Sequence, residues 1–377
     1  MNSSSSHSRG ESSRTMQSYG LDGVIVADTE LSDVDGERGR LTVRGYALQQ
    51  LAGKVSFEAL LGLLWDARLP EQQAERELAR ALGEARVAAH AELWRLTPAL
   101  ALDEPMDALR AGVAALPRAA DERAAALQLT ACAAVISASW WRLRGRERPI
   151  APDPELSHAE DALRLFGLPH DSSRARALET YWVTVADHGL NASTFAARVV
   201  ASTDSDTVSA VTAALGALKG RLHGGAPGPV LTLLDSIQSP ARARAVLEQL
   251  LERGERIMGM GHRVYRVRDP RAEVLERALL ELGAGQPSPR LELARAVEKA
   301  ATELLAERYP ERGLRANVEF CTAVLLEALG VPRELFTNVF AAGRTAGWCA
   351  HVAEQRRARR ILRPAARYVG PPALSGW

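Results

Sequence analysis

A chain of 377 residues is long enough to bury the core of two or three average domains. Its 47 basic and 46 acidic side chains leave a formal net charge of +1, which excludes the broad basic surface of a general nucleic-acid or anionic-membrane binder. Three cysteines (Cys132, Cys321, Cys349) with no Cys-x-x-Cys pair exclude a disulfide scaffold and a structural zinc site.

Residues 1–18 are Ser-rich and polar, lack the charged-then-apolar pattern of a signal peptide, and are expected to be a disordered leader, with Met16 an alternative start. Val24-Ile25-Val26, a turn at Asp35-Gly36 and Leu41-Thr42-Val43 predict a small hairpin. From about residue 56 the period becomes helical. Leu60, Leu61, Leu64 and Trp65 form one apolar face, with Leu69-Pro70 as the stop. Helical patterns continue over 71–96 and 103–116. An apolar helix follows near 121–143; Gln128, Thr130, Ser137 and Ser139 interrupt it, so it reads as core and not as a membrane span. A Gly- and Pro-containing linker at 145–154 ends it.

In the second half Leu178, Tyr181, Trp182 and Val185 share a helix face, and the helix stops near Asp187-His188 with Gly189 beyond. Asp206 can cap a helix with Val208, Val211, Leu215 and Leu218 inside. Asn317 can cap another containing Cys321, Val324, Leu325 and Ala328, with Gly330 and Pro332 past its end. Strands and helices do not alternate often enough for a parallel sheet. The class is mainly α, and the expected location is cytoplasmic.

Three segments break the helical pattern. In GRLHGGAPGPV (220–230), His223 precedes two glycines and Pro227, where a helix can begin. A histidine at a helix N-terminus is held neutral and can donate to a carbonyl becoming an enolate; a glycine-rich loop whose histidine merely caps a turn is the plainer alternative. In RIMGMGHRVYRVRDPR (256–271), Gly259 and Gly261 flank Met260 ahead of His262, and Arg263, Arg266, Arg268 and Arg271 follow. Such a loop can bind a nucleotide base or phosphate, although arginine runs are usually solvated faces. In RANVEFCTA (315–323), Glu319 can be an ordinary first-turn acid or a general base. Only Lys54, Lys219 and Lys299 are lysines, so 44 of the basic residues are arginines. Coding bias accounts for most of them; a few bidentate forks suit a small polycarboxylate.

The segments DHGLNAST (187–194), LHGGAP (222–227), MGMGHRVYRVRDPRA (258–272), NVEF (317–320), GRTAGW (343–348) and RP (363–364), in that order, closely resemble the citrate synthase family, which includes citrate and 2-methylcitrate synthases. The opening 20–46 is similar to the family's N-terminal hairpin, so the resemblance spans about 20–370. It implies an all-α, two-domain fold: a large helical domain (19–224 and 332–377) and a smaller helical domain (225–331) that closes as a lid. It also implies a homodimer with shared active sites and no permanently bound cofactor or metal, with acetyl-CoA as co-substrate. The implied reaction condenses acetyl-CoA with oxaloacetate and water to citrate and CoA, through an enol and thioester hydrolysis.

By the same resemblance His223 polarises the thioester carbonyl, Glu319 takes the α-proton, and His262 donates to the keto oxygen of oxaloacetate. His188, Arg271 and Arg344, with Asn317 nearby, bind oxaloacetate, and Arg363 matches an arginine contributed across the dimer. Arg256, Ile257, Met258, Gly259, Met260 and Gly261 match the loop around the CoA adenine, and Arg266 a basic residue near a CoA phosphate. One departure stands out: Glu319 occupies a position where the family usually has Asp, and the segment before Asp187 lacks a histidine many members carry. Propionyl-CoA as substrate is the first alternative; a catalytically weak CoA- or dicarboxylate-binding regulatory dimer is a remote one.

Overall fold

The computed structural model describes residues 21, 23–224, 227–261, 264–286 and 288–372; the expected leader 1–18 and His262 lie outside the described residues. Three short antiparallel strands open the chain in the order β1 (Ser32–Asp35), β2 (Arg40–Val43) and β3 (Tyr46–Ala47), with Ser32 opposite Val43 and Asp35 opposite Arg40. The turn after Asp35 falls where expected. The third strand goes beyond the expected hairpin. It exists because Arg44 and Gly45 both take left-handed backbone (φ 47 and 86), a two-residue reversal that returns Tyr46–Ala47 onto Thr42–Val43.

Sixteen α-helices follow among the described residues. The first five are α1 (Leu48–Leu51), α2 (Phe57–Asp66), α3 (Gln72–Ala91), α4 (Thr97–Leu100) and α5 (Pro105–Ala114). The apolar helix near 121–143 is α6 (Glu122–Arg144), capped by Asp121 Oδ1, which accepts from Ala124 N at 2.8 Å. It is long and apolar enough to cross a membrane, yet most of its apolar stretch is buried in the protein core. Next come α7 (His158–Leu165), α8 (Ser172–Val185), α9 (Ala192–Ala201) and α10 (Thr207–Leu218). The predicted Asp206 cap accepts from Ser209 N at 2.8 Å. Then follow α11 (Pro227–Ile237), α12 (Ala243–Glu252), α13 (Pro270–Leu282), α14 (Pro289–Arg308), α15 (Glu319–Ala328) and α16 (Phe336–Ala358).

Val24-Ile25-Val26, expected in the hairpin, lies outside the three strands, the first of which starts only at Ser32, and one helix boundary also differs from the sequence reading. Helix α2 ends at Asp66, where Ala67 turns left-handed (φ 60), and Pro70 instead packs on Gly62, whose missing β-carbon would lie 3.0 Å from Pro70 Cδ. The two 23-residue helices, α6 and α16, pack against each other at the centre, buried over most of their length.

The linker expected at 145–154 is held by a buried ion pair. Arg86, fully buried on α3, donates from Nε to Asp161 on α7 at 2.7 Å, and from its terminal nitrogen to the carbonyls of Asp153 (3.0 Å) and Leu156 (2.9 Å). Asp161 also accepts from Asp153 N. Asp161 is also paired with Arg164 (2.7 Å), so it is the loss of Asp161 that strands a fully buried charge, on Arg86. Asp161→Ala is therefore expected to lower the unfolding free energy by about 3–5 kcal/mol in urea titration, and the Arg86→Met/Asp161→Leu double variant by clearly less. Equal losses would contradict this account.

Candidate active site

Helix α16 presents a face of functional side chains to the end of α8 and the start of α9. Arg344 is almost fully buried (2 % exposed); its Nε donates to the Val185 carbonyl and its guanidinium lies 4.7 Å from the Phe340 ring centre. Among the described residues no carboxylate pairs with it within salt-bridge distance. Burial pulls its pKa down to about 10, partly offset by Asp187 and reinforced by the Arg271 charge, so it is a cation at neutral pH. A buried guanidinium is chemically suited to grip a planar carboxylate.

The predicted anion-binding partners gather near it. His188 is buried, and its Nε2 lies 3.0 Å from the Tyr265 hydroxyl. Arg271, in the first turn of α13, is buried and gripped by Asp269, whose two oxygens accept from Nε (3.0 Å) and the terminal nitrogen (2.6 Å). Asp269 also caps the helix by accepting from Arg271 N. Burial would lower the Arg271 pKa, but the Asp269 carboxylate raises it above its ordinary value.

Glu319 opens α15. Asn317 braces it: its Oδ1 accepts from Glu319 N (3.0 Å), its Nδ2 donates to Gly261 O (3.2 Å), and its backbone N donates to Gly259 O (2.9 Å). Both ends of the Asn317 amide are thus engaged within the protein, which makes it a brace between the 256–261 loop and the Glu319 helix. Gly259 is left-handed (φ 78), and a β-carbon there would sit 2.6 Å from the Phe320 ring, so the loop needs glycine for backbone and space alike. In that loop Ile257 and Gly259 are buried, Met260 and Gly261 half-buried, and Arg256 and Met258 exposed; Arg266 is exposed further on. Arg363 is exposed on the segment after α16, outside the cluster.

His223 completes the set. Its Nε2 lies 2.8 Å from Ser193 Oγ and 3.2 Å from Asn191 Oδ1, and accepts from Ser193 N at 3.3 Å. Ser193 Oγ in turn accepts from Trp348 Nε1 on α16 (3.2 Å).

The family model described as citrate synthase, C-terminal domain, matches residues 20–365. A putative citrate synthase 2 of Mycobacterium tuberculosis is 39% identical over 380 residues, covering 95% of each chain. The chain belongs to the citrate synthase family. A 2-methylcitrate synthase of M. tuberculosis is 38% identical, covering 93% of this chain and 90% of that protein. Among solved structures, citrate synthase from Thermotoga maritima superposes with a TM-score of 0.84 at 34% identity, covering 96% of this chain and 98% of that one. The Thermoplasma acidophilum enzyme, in ternary complex with carboxymethyl coenzyme A and oxaloacetate, gives 0.83 at 27% identity over 95% of this chain and 98% of that one.

The fold thus brings Arg271, Glu319 and His223 within reach of the Arg344 charge, with His188 beside Tyr265. Burial pushes the Glu319 carboxyl up to about 7, with Asp269 adding to the rise while Arg271 and Arg344 oppose it. Burial, and then the Arg344 charge, press the His223 pKa down to about 4. The sequence reading expected a neutral His223 from a helix dipole; in the structure burial and the Arg344 charge favour the neutral ring. Residues the sequence reading did not single out include Tyr265, Asp269, Ser193, Trp348 and Phe340. Only Asp269 carried a local signal, as a cap before Pro270.

A separate cavity of about 780 Å³, lined by Glu58, Glu75, Arg76, Glu155 and Glu179 among others, contains none of the predicted residues, and its acidic wall suits neither CoA phosphates nor a dicarboxylate. In NMR titrations of the unliganded protein, the His223 ring is expected to stay neutral from pH 8 to 5 and to titrate near 4, while Glu319 titrates near 7. A His223 midpoint near 6.5 would contradict this electrostatic account.

Proposed function

We propose that the chain catalyses the condensation of acetyl-CoA with oxaloacetate and water to give citrate and CoA. The observation that carries this reading is that His223 and Glu319, from distant segments, both lie within reach of the buried Arg344 charge, in a chain matching the citrate synthase family model over residues 20–365. A thioester α-carbon is a very weak acid, so a carboxylate can deprotonate it only if the developing oxyanion is stabilised at the same moment. In this reading an imidazole N–H of the neutral His223 donates to the thioester oxygen while Glu319 removes the α-proton. The enol carbon then bonds to the keto carbon of oxaloacetate, and the keto oxygen takes a proton from His262. Water cleaves the citryl thioester, releasing CoA.

Arg271, Arg344 and His188 are assigned to the oxaloacetate carboxylates, with the planar forks of the arginines suited to them. The 256–261 loop and Arg266 are assigned to CoA. Residues 225–331 would form the lid that keeps water from the enol, hinged on the rest. A second copy of the chain would supply Arg363, which fits its exposure here. Propionyl-CoA, giving 2-methylcitrate, is the second reading, favoured by the 2-methylcitrate synthase relative. The two acyl groups differ by one methylene, worth about 1–3 kcal/mol in an apolar pocket, so both can be turned over.

Three measurements test these assignments. With oxaloacetate fixed, kcat/KM for acetyl-CoA is expected to match or exceed that for propionyl-CoA by CoA thiol release; a propionyl preference above about tenfold would transfer the assignment to 2-methylcitrate. Glu319→Gln and His223→Ala should each lower kcat by at least ~10²-fold without loss of fold, and near-normal turnover by the Gln variant would remove Glu319 as base. Because a protonated carboxyl cannot accept the α-proton, wild-type kcat/KM should fall as pH drops through about 7. A flat profile from pH 8 to 5.5 would contradict the base assignment.

A further inference from the structure

Behind the substrate groups, away from the cleft, lies a buried relay that the reaction scheme does not use. His351 on α16 is fully buried; its Nε2 lies 3.0 Å from Asp187 Oδ1, and its Nδ1 lies 3.0 Å from a terminal nitrogen of Arg198 on α9. A guanidinium can only donate, so Nδ1 of His351 accepts and its proton sits on Nε2, directed at Asp187. Arg198 is itself fixed by Glu354 and by Gln355 Oε1 (2.9 Å). The imidazole therefore links the Arg198 charge to the Asp187 carboxylate. The other oxygen of Asp187, Oδ2, is buried, and the Ser32 side chain adds a second hydrogen bond to this carboxylate. The aim of this side chain thus depends on His351 together with Ser32.

Asp187 directly precedes His188. Each residue of this short stretch is held: Asp187 by His351 and Ser32, His188 by Tyr265, and the left-handed Gly189 (φ 61) by Ser32 Oγ, which accepts from its N at 2.8 Å. His351 stands seven residues after Arg344 on the same helix, two turns along one face. Arg344 meets Val185, Gly347 meets Ala186, and His351 meets Asp187, one helix position for each successive residue of the facing segment.

We propose that His351 and Asp187 are a positioning pair that fixes His188 relative to Arg344, and so sets the spacing of two groups that grip oxaloacetate. The inference rests on the assignment of His188 and Arg344 to the oxaloacetate carboxylates. Neither member of the pair touches substrate. Its loss shifts His188 without disturbing the CoA loop, so the effect falls on one substrate.

The test is steady-state kinetics on the full-length enzyme, with thermal unfolding recorded for each variant. His351→Phe should raise the KM for oxaloacetate by at least ~10-fold and leave the acyl-CoA KM within about twofold. His351→Gln, which keeps an N–H donor, should recover most of the loss. Should His351→Phe fail to fold, Asp187→Ala and Asp187→Asn serve instead. The Ala variant is expected to raise the oxaloacetate KM as His351→Phe would, and the Asn variant, which keeps an acceptor for the imidazole, by less than about threefold. An unchanged oxaloacetate KM in a folded His351→Phe or Asp187→Ala enzyme, or an equal rise in both KM values, would overturn the pair's role. Arg344→Ala in the same assay separates the two failures, since an unmoved oxaloacetate KM there would overturn the carboxylate assignment itself.

Discussion

Gly347 lies so close to the carbonyl of Ala186 that a β-carbon on it would overlap that oxygen and sit 3.1 Å from the carbonyl carbon. This approach of α16 to the end of α8 sets the geometry of the site. With the backbones in contact, Arg344 one turn earlier reaches the Val185 carbonyl, and His351 one turn later reaches Asp187. Trp348, next to Gly347, reaches Ser193, which holds His223. Three groups from distant parts of the sequence are thereby referred to one rigid helix. Interior packing transmits displacement with little slack, so an error in this one contact would reach all three groups.

The electrostatics follow from the same packing. Arg344, which no carboxylate among the described residues pairs within salt-bridge distance, is a buried cation whose charge reaches both His223 and Glu319. It helps keep the histidine neutral. The Glu319 carboxylate feels both the Arg271 and Arg344 charges, yet desolvation outweighs their attraction and its pKa rises toward neutrality. A base near neutrality and a donor that resists protonation are what enolisation of a weak carbon acid demands. The longer side chain of Glu319, compared with the family's usual Asp, begins its helix behind the Asn317 brace, so its backbone start point is fixed by the 256–261 loop.

Much of this was legible in the sequence because local rules and tertiary packing agree. The Asp206 cap, the apolar face of α10, the buried nature of α6 and the Pro227 start of α11 each follow from residues within one or two turns. The third strand was not legible, since it depends on Arg44 adopting left-handed backbone, which its side chain gives no reason to expect. The motif histidines and arginines were identified by order and spacing, whereas the partners that orient them were not. Ser193, Tyr265, Trp348 and His351 are ordinary residues in helices and loops until the fold brings them within hydrogen-bonding distance of a site residue. Arg198 and His351 lie 153 positions apart, beyond any local pattern.

The central claim is that the contact between Gly347 and Ala186 sets the site, and calorimetric binding of oxaloacetate to a Gly347→Ala protein tests it most directly. The added methyl cannot be accommodated without separating α16 from the end of α8, so the account predicts affinity for oxaloacetate weakened by at least ~10-fold in a protein that remains folded. Wild-type affinity in that folded variant would contradict it.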